Sequence, residues 1–413
     1  MKNMGTLGKP YETFTLSNGM RAVVRQTDSP VSYIGVVINA GSRDEPADRQ
    51  GLAHFVEHTI FKGTSSRKSW HISNRMECIG GELNAYTSKE ETMLYTNAPA
   101  GHAERAIELL SDIIADSRFP SRELDMEREV VIDEINSYLD SPSESVYDEF
   151  EERAYAGSAL AHNILGTPES VRSLSSTDCR GFLDRHYTPA NMVAYISDPG
   201  DPARLATLLE KHFGALGFPG GTPQRATPPP MQAFDDTVSR DGHQAHTVMG
   251  YRVFGRRDPR RFPLFLLNNH LGGPCMNSRL NQELRDKRGL VYTVDSSVAL
   301  MSDTGLLQIY FGCDRKDIPR CRRLIGRELE RLASDRLSDR AFRSIVNQYC
   351  GQMIVSSDNR ENMAMSMGKS LQFFGHVVEM QEVDRALRDV TPEQLRDLAA
   401  EIASSPLGCL TIC

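Results

Sequence analysis

The amino-acid sequence predicts an α+β protein of two similar domains, each a mostly antiparallel β-sheet with helices packed on it. Three observations lead there. Residues 214–234 (GALGFPGGTPQRATPPPMQAF) are dense in Gly and Pro, lack apolar periodicity, and divide the 413 residues into halves of similar size. Each half carries two strand-like runs followed by a helix-like one, at 83–87, 92–96 and 103–114 and again at 290–294, 305–311 and 318–332. Each half also ends on a helix and a last strand, the strands falling at 191–196 and 408–412. Thr177 and Thr391 stand where the N-caps of those helices belong, and Pro392 suits a first helical turn. The expected domains are residues 1–216 and 235–413, joined by a linker at 217–234.

Composition narrows the function. With 39% hydrophobic and 25% charged residues, the chain is an ordinary globular one. No run approaches the ~18 apolar residues that cross a bilayer, so no membrane association is expected. The first twenty residues have neither the apolar core of a signal peptide nor an Arg-rich amphipathic pattern, so the expected location is cytoplasmic. Eight cysteines are scattered without a CxxC pair, which fits reduced thiols better than a disulfide framework or a zinc ribbon. A formal net charge of −8 argues against a nucleic-acid partner. The basic run of Arg256, Arg257, Arg260 and Arg261 reads as a solvated loop.

Residues 51–61 (GLAHFVEHTIF) are the most specific segment. On a helix, His54 and His58 lie on one face and can present both imidazoles to one ion, with Glu57 beside them. Leu52, Phe55 and Ile60 supply apolar surface that anchors such a helix. Taken alone, the same spacing also fits two surface histidines without a function. A hydrolytic zinc site needs a third protein ligand and an open position for water. Residues 127–135 (EREVVIDEI) offer Glu127 and Glu134, on one helical face with Val131 between them. An acidic, solvated helix surface is the plain alternative.

HxxEH inverts the commoner HExxH and marks the inverzincins. The chain resembles the pitrilysin/insulinase (M16) family of zinc metallopeptidases, in particular its short members similar to the mitochondrial processing peptidase. Further matches lie at residues 40–45 (AGSRDE), 61–64 (FKGT), 80–87 (GGELNAYT), 278–280 (SRL) and 285–292 (RDKRGLVY), so the resemblance spans nearly the whole chain. It implies Zn2+ as cofactor, with His54, His58 and Glu134 as ligands, because Glu134 stands at the family's third-ligand distance from His58. It implies Glu57 as general base and places Glu127 one helical repeat before Glu134, where it orients the site from behind the ligands. It further implies that Arg285 and Tyr292 reach substrate or the tetrahedral oxyanion. Asn84, Ala85 and Tyr86 match the edge strand whose backbone pairs with an extended peptide.

The implied activity is that of a zinc metalloendopeptidase acting on short or unfolded peptides. The second half has no HxxEH; at 264–270 it reads LFLLNNH, so one metal centre per chain is expected. Longer family members fuse two such chains into a closing chamber, which implies a homodimer here, or a heterodimer with a related inactive subunit. A non-catalytic structural or partner subunit of the same fold is the alternative reading, and a zinc-binding module without turnover a more distant one. His243 and His246, three apart, would face opposite sides of a strand. Gly272-Gly273-Pro274 lacks the Lys-Ser/Thr of a phosphate loop. Met353, Met363, Met365 and Met367 read as core or interface filler.

Overall fold

A computed structural model describes residues 11–217, 221–240 and 242–413. Residues 1–10, half of the stretch read for a targeting signal, and 218–220, within the expected linker, lie outside the described residues. The chain forms two compact units. The first gathers the residues up to Ile135, His162–Arg225 and Ser357–Val378; the second gathers Asn136–Ala161, Ala226–Ser356 and Glu379–Cys413.

The first unit is built on strands β1 (Tyr11–Thr15), β2 (Arg21–Gln26), β3 (Val31–Ile38), β4 (Glu82–Thr87), β5 (Thr92–Pro99) and β6 (Met192–Asp198). Their order is β1-β2-β6-β3-β5-β4, antiparallel throughout except for the parallel pair β2/β6. The second unit uses β7 (Phe234–Val238), β8 (Ala245–Phe254), β9 (Val291–Leu300), β10 (Thr304–Cys313) and β11 (Leu407–Ile412). Their order is β7-β11-β8-β10-β9, and β7/β11 is the parallel pair. Strand for strand, β2-β6-β3-β5-β4 and β7-β11-β8-β10-β9 agree in order and in sense. Both units therefore repeat one plan and end on corresponding edge strands, β4 and β9.

Over its inner strands each sheet is buried on both faces, which the alternation of side chains along the strands makes possible. In the first unit Val24, Ile34, Val36 and Ile38 face a large core shared with the helices Leu52–Thr59, Ala103–Asp116 and Ser176–His186. The neighbouring residues Val23 and Val37, with Met93, Val193 and Tyr195, face the other way. There they pack against Ala364, Met367 and Leu371 of the helix Arg360–Phe374. Gly368 lets that helix approach, since a Cβ there would stand 2.6 Å from the Tyr195 ring.

The second sheet is covered the same way by a helix from the first half of the sequence. Pro142–Ala154 sets Val146, Phe150 and Ala154 against Val248, Leu306, Leu410 and Ile412. The Phe150 ring fills the space over two glycines: a Cβ on Gly250 would lie 2.5 Å from it and one on Gly408 3.0 Å. The halves thus exchange helices, and the compact units are not the contiguous segments 1–216 and 235–413. The reason is physical. A sheet buried on both faces needs a second covering layer, and an amphipathic pattern does not say which sheet a helix will cover.

Helix starts follow side-chain chemistry. Thr391 caps the helix Pro392–Ala403 in a capping box with Gln394. Thr177 is not a cap. Ser175 takes that place for Ser176–His186, because Asp178, three residues on, accepts a hydrogen bond of 2.9 Å from the Ser175 N–H. Among the described residues no helix is long and apolar enough to cross a membrane.

The seat of Phe150 gives a direct test of the exchanged helix. Phe150→Ala should destabilise the protein by about 3–5 kcal/mol, seen as a lowered urea midpoint. A change below about 1 kcal/mol would mean that the helix contributes little to this core.

Candidate metal centre

The segment that carries the histidines folds as a helix of eight residues, Leu52–Thr59, because Leu52, Phe55, Val56 and Ile60 are buried along one side of it. Its start is sterically exacting. Gly51 has a left-handed φ of +82°, and a Cβ there would lie 2.5 Å from the Leu165 carbonyl oxygen. His54, which is buried, and His58, half-buried, stand one turn apart on the side that meets Glu127 and Glu134, ring centroids 4.5 Å apart and planes at 65°. The second helix, Ser121–Leu139, buries Leu124, Val131, Ile132 and Ile135 in the same core and turns Glu127 and Glu134 towards the histidines.

Three donor atoms converge. Glu134 Oε2 lies 3.4 Å from His58 Nε2 and 3.8 Å from His54 Nε2, and one ligand atom from each residue falls within 4.8 Å of the others. Tetrahedral zinc with bonds of ~2.0–2.1 Å separates its ligand atoms by about 3.4 Å. The two distances to Glu134 come within about 0.4 Å of that value, and the donor set, two imidazole nitrogens and a carboxylate oxygen, suits the ion. Among the described residues no other His, Cys, Asp and Glu set of this kind occurs.

Glu127 sits behind the ligands. Its Oε1 is 3.0 Å from His58 Nδ1, and its Oε2 is 2.6 Å from Lys62 Nζ. With Nδ1 engaged, His58 is left to offer Nε2 to an ion, the usual arrangement of a carboxylate–histidine pair. Burial pushes the Glu127 carboxyl up, but the hydrogen bonds to His58 and Lys62 outweigh it and hold the group below its ordinary range. Burial opposes charge on His58 as well, yet the bond to Glu127 and the nearby Glu57 and Glu134 carboxylates raise it overall. His54 goes the other way: burial and the neighbouring His58 pull it down to about 3, which keeps its ring neutral, as a metal ligand must be.

Glu57 is on the same helix, between the two histidines in sequence. Burial pushes its carboxyl up, and contacts with Thr87 and His58 work against that rise. Thr87 is the last residue of β4, so the sheet's edge reaches the general-base candidate. On that strand Asn84 is exposed and Ala85 and Tyr86 are half-buried. They pair with Tyr95, Leu94 and Met93 of β5, leaving the outer side of β4 as the sheet edge. Tyr86 is held from the opposite face. Its hydroxyl donates to Glu91 at 2.9 Å, and Lys369 of the exchanged helix lies 5.0 Å from its ring centroid while also pairing with Glu91.

The structure thus gathers His54, Glu57, His58, Glu127 and Glu134 at one place, with the end of β4. Arg285 and Tyr292 belong to the second unit. Arg285 is exposed on the π-helical turn Asn281–Asp286, with a guanidinium nitrogen 3.8 Å from the Met276 sulfur. Tyr292 is exposed at the start of edge strand β9, its hydroxyl donating to Asp314 at 3.2 Å. His246 lies on β8 with its Nδ1 2.8 Å from the Tyr310 hydroxyl, and His243 precedes that strand. The roles of Lys62 and Thr87 were not legible in the sequence. Lys62 had one usable signal, its place four residues after His58 with an acidic helix to meet.

Residues 21–168 match the insulinase family, peptidase family M16, and residues 173–349 match the peptidase M16 inactive domain. A protein of Mycobacterium leprae described as an uncharacterized zinc protease is 30% identical over 407 residues, 96% of this chain and 90% of its own. One from Bacillus subtilis, described in the same words, is 31% identical over 393 residues, 94% of this chain and 95% of its own. Cytochrome b-c1 complex subunit 1 of Bos taurus is 27% identical over 400 residues, 94% of this chain and 82% of its own. A protease from Helicobacter pylori has the same fold, with a TM-score of 0.88 at 22% identity over 98% of this chain and 99% of the other. A Pseudomonas fluorescens structure described as a peptidase M16 inactive domain gives 0.91 at 16% identity, covering 98% of each chain. With relatives at this identity over nearly its full length, the chain belongs to the insulinase family of M16 peptidases.

Proposed function

We propose that this chain is a zinc-dependent endopeptidase that cuts short or unfolded peptides. The observation that carries the reading is the convergence of His54 Nε2, His58 Nε2 and Glu134 Oε2, with Glu57 on the same helix. Relatives described as zinc proteases supply the identity of the metal. His54, His58 and Glu134 would hold it, and Glu127 with Lys62 would keep His58 in the tautomer that binds. Bound there, Zn2+ polarises a peptide carbonyl and lowers the pKa of a water molecule.

Glu57 is not needed to hold a metal, and its carboxylate has a proton to move. It takes one from the attacking water and returns it to the leaving amine. The edge of β4 at Asn84, Ala85 and Tyr86 would bind an extended substrate through main-chain hydrogen bonds, which admits many sequences and excludes folded proteins. Arg285 and the Tyr292 hydroxyl are assigned to the substrate carbonyl, where charge develops in the transition state. The working form in this reading is a dimer in the cytoplasm. A homodimer is the simpler case, because one chain carries every assigned residue; a related inactive subunit is the other candidate partner. The likeness to a cytochrome b-c1 subunit favours a second reading, a non-catalytic partner subunit. The complete donor set and the presence of Glu57 favour catalysis.

A mixed peptide pool incubated with the purified protein, with and without a chelator, and read by mass spectrometry tests the activity. Chelator-sensitive cleavage is expected. Glu57→Gln should keep its zinc and lose turnover by about 10²–10⁴-fold, while His58→Ala should lose the metal itself. Wild-type turnover in Glu57→Gln would remove that residue as the base. Tyr292→Phe should retain zinc and lower kcat on the order of 10²-fold; an unchanged kcat with a raised KM would move Tyr292 to ground-state binding. Light scattering, paired with cleavage of one protein before and after unfolding, examines the remaining parts. A dimer that cuts the unfolded form alone is expected, and a fully active monomer or equal cleavage of both forms contradicts it.

A further inference from the structure

The two histidines of the candidate centre are oriented by different means. His58 has its second nitrogen on Glu127. His54 has no such support: its Nδ1 is buried without a hydrogen-bond partner among the described residues. The direction in which His54 offers Nε2 therefore rests on the backbone of the first turn of Leu52–Thr59.

That turn starts without the usual provision. The first amides of a helix have no acceptor within it, and a Ser, Thr, Asp or Asn at the N-cap ordinarily supplies one. The N-cap here is Gly51, with no side chain to do so. Glu45, in the preceding loop, provides both acceptors from outside. Its Oε2 takes the Gly51 N–H at 2.9 Å and its Oε1 takes the Ala53 N–H at 2.7 Å. The carboxylate is buried, at 9% exposure, and its loop is pinned. Asp44 accepts from the Gly41 N–H at 3.0 Å and from Arg225 at 2.9 and 2.7 Å, and the buried pair Arg43–Glu90 closes at 2.6 Å.

We propose that Glu45 is a positioning residue for the metal centre, a two-point clamp that fixes the rotation of the motif helix and so aims His54 at Glu134. The inference rests on the zinc reading above. One hydrogen bond would leave the helix free to turn about it; two, from a planar carboxylate to amides two residues apart, do not. Side chains reach about 5–6 Å from a helix axis, so a rotation of roughly 10° moves a ligand atom by about 1 Å. That exceeds the ~0.5 Å within which a metal constellation must be held.

The test is zinc affinity, measured by competition with a chromogenic chelator on the full-length protein. Glu45→Gln keeps the volume but sets an amide N–H₂ against a backbone N–H, so one arm of the clamp is lost. Its zinc affinity should fall about 10-fold or more, comparable with Glu127→Gln. Leu209→Ala, in the same unit's core and outside the site, controls for lost stability and should stay within about 2-fold of the parent. Glu45→Asp, shorter by one methylene and able to reach a single amide, should be weakened in the same direction and serves if the Gln variant does not fold. Parent-like affinity in the Glu45 variants, or equal losses in Glu45→Gln and Leu209→Ala, would overturn the proposal. A parent chain that binds no zinc would overturn the metal reading itself, a separate outcome.

Discussion

The centre depends on one apolar core that seats a short helix and a long one. Two imidazoles come from Leu52–Thr59 and a carboxylate from Ser121–Leu139, and no hydrogen bond between main chains joins these segments to set their spacing. What sets it is apolar: Phe55, Val56 and Ile60 share a core with Leu124, Val131 and Ile132. Each such side chain, fully buried, contributes about 1.5–3 kcal/mol. Together they order the backbone beneath a polar cluster that would otherwise repel itself. Glu57, Glu127 and Glu134 lie close together, and Lys62 and the histidines offset only part of their charge. A dication at that point relieves the repulsion, so the apolar contacts and the metal stabilise the same arrangement.

A second dependence runs through the sheet. Tyr86 lies on the edge strand that carries the proposed substrate contacts, and the exchanged helix Arg360–Phe374 holds it through Lys369 and Glu91. The same helix covers Val37, Val193 and Tyr195 on the inner strands. The edge of β4 is therefore supported from beneath by residues far along the chain, while Thr87 at its end touches Glu57 from the other face. A preordered edge suits the substrate contacts proposed for it, since less order has to be created on binding.

Much of this was legible in the sequence, and the limits are instructive. The hairpins β4/β5 and β9/β10 show as paired strand-like runs before a helix, and the His54/His58 pair in its four-residue spacing, because both are local patterns. Glu134 could not be chosen over Glu127 from spacing alone; both lie on the face that meets the histidines, and only family resemblance separated them. In the structure their parts do differ, Glu134 facing both Nε2 atoms and Glu127 facing Nδ1 and Lys62. Thr177 has the chemistry of a cap, but Asp178 completes a box with Ser175, which holds the place instead. Met367 fills a core, as its helix predicts, yet nothing in that helix says that the sheet it fills belongs to the other half.

The exchange of helices has a consequence for the chain as it leaves the ribosome. β6, the last strand of the first sheet, is complete at Asp198, but the helix that covers its second face ends at Phe374. At ~5–20 residues per second, the about 180 residues between them take on the order of ten to forty seconds to synthesise. Through that interval Val23, Val37, Met93, Val193 and Tyr195 present a bare apolar sheet face. The nascent first unit is therefore a natural client for a chaperone. For the same reason a fragment cut at the Pro- and Gly-rich stretch would keep its histidines and glutamates while lacking the layer that keeps their sheet out of water.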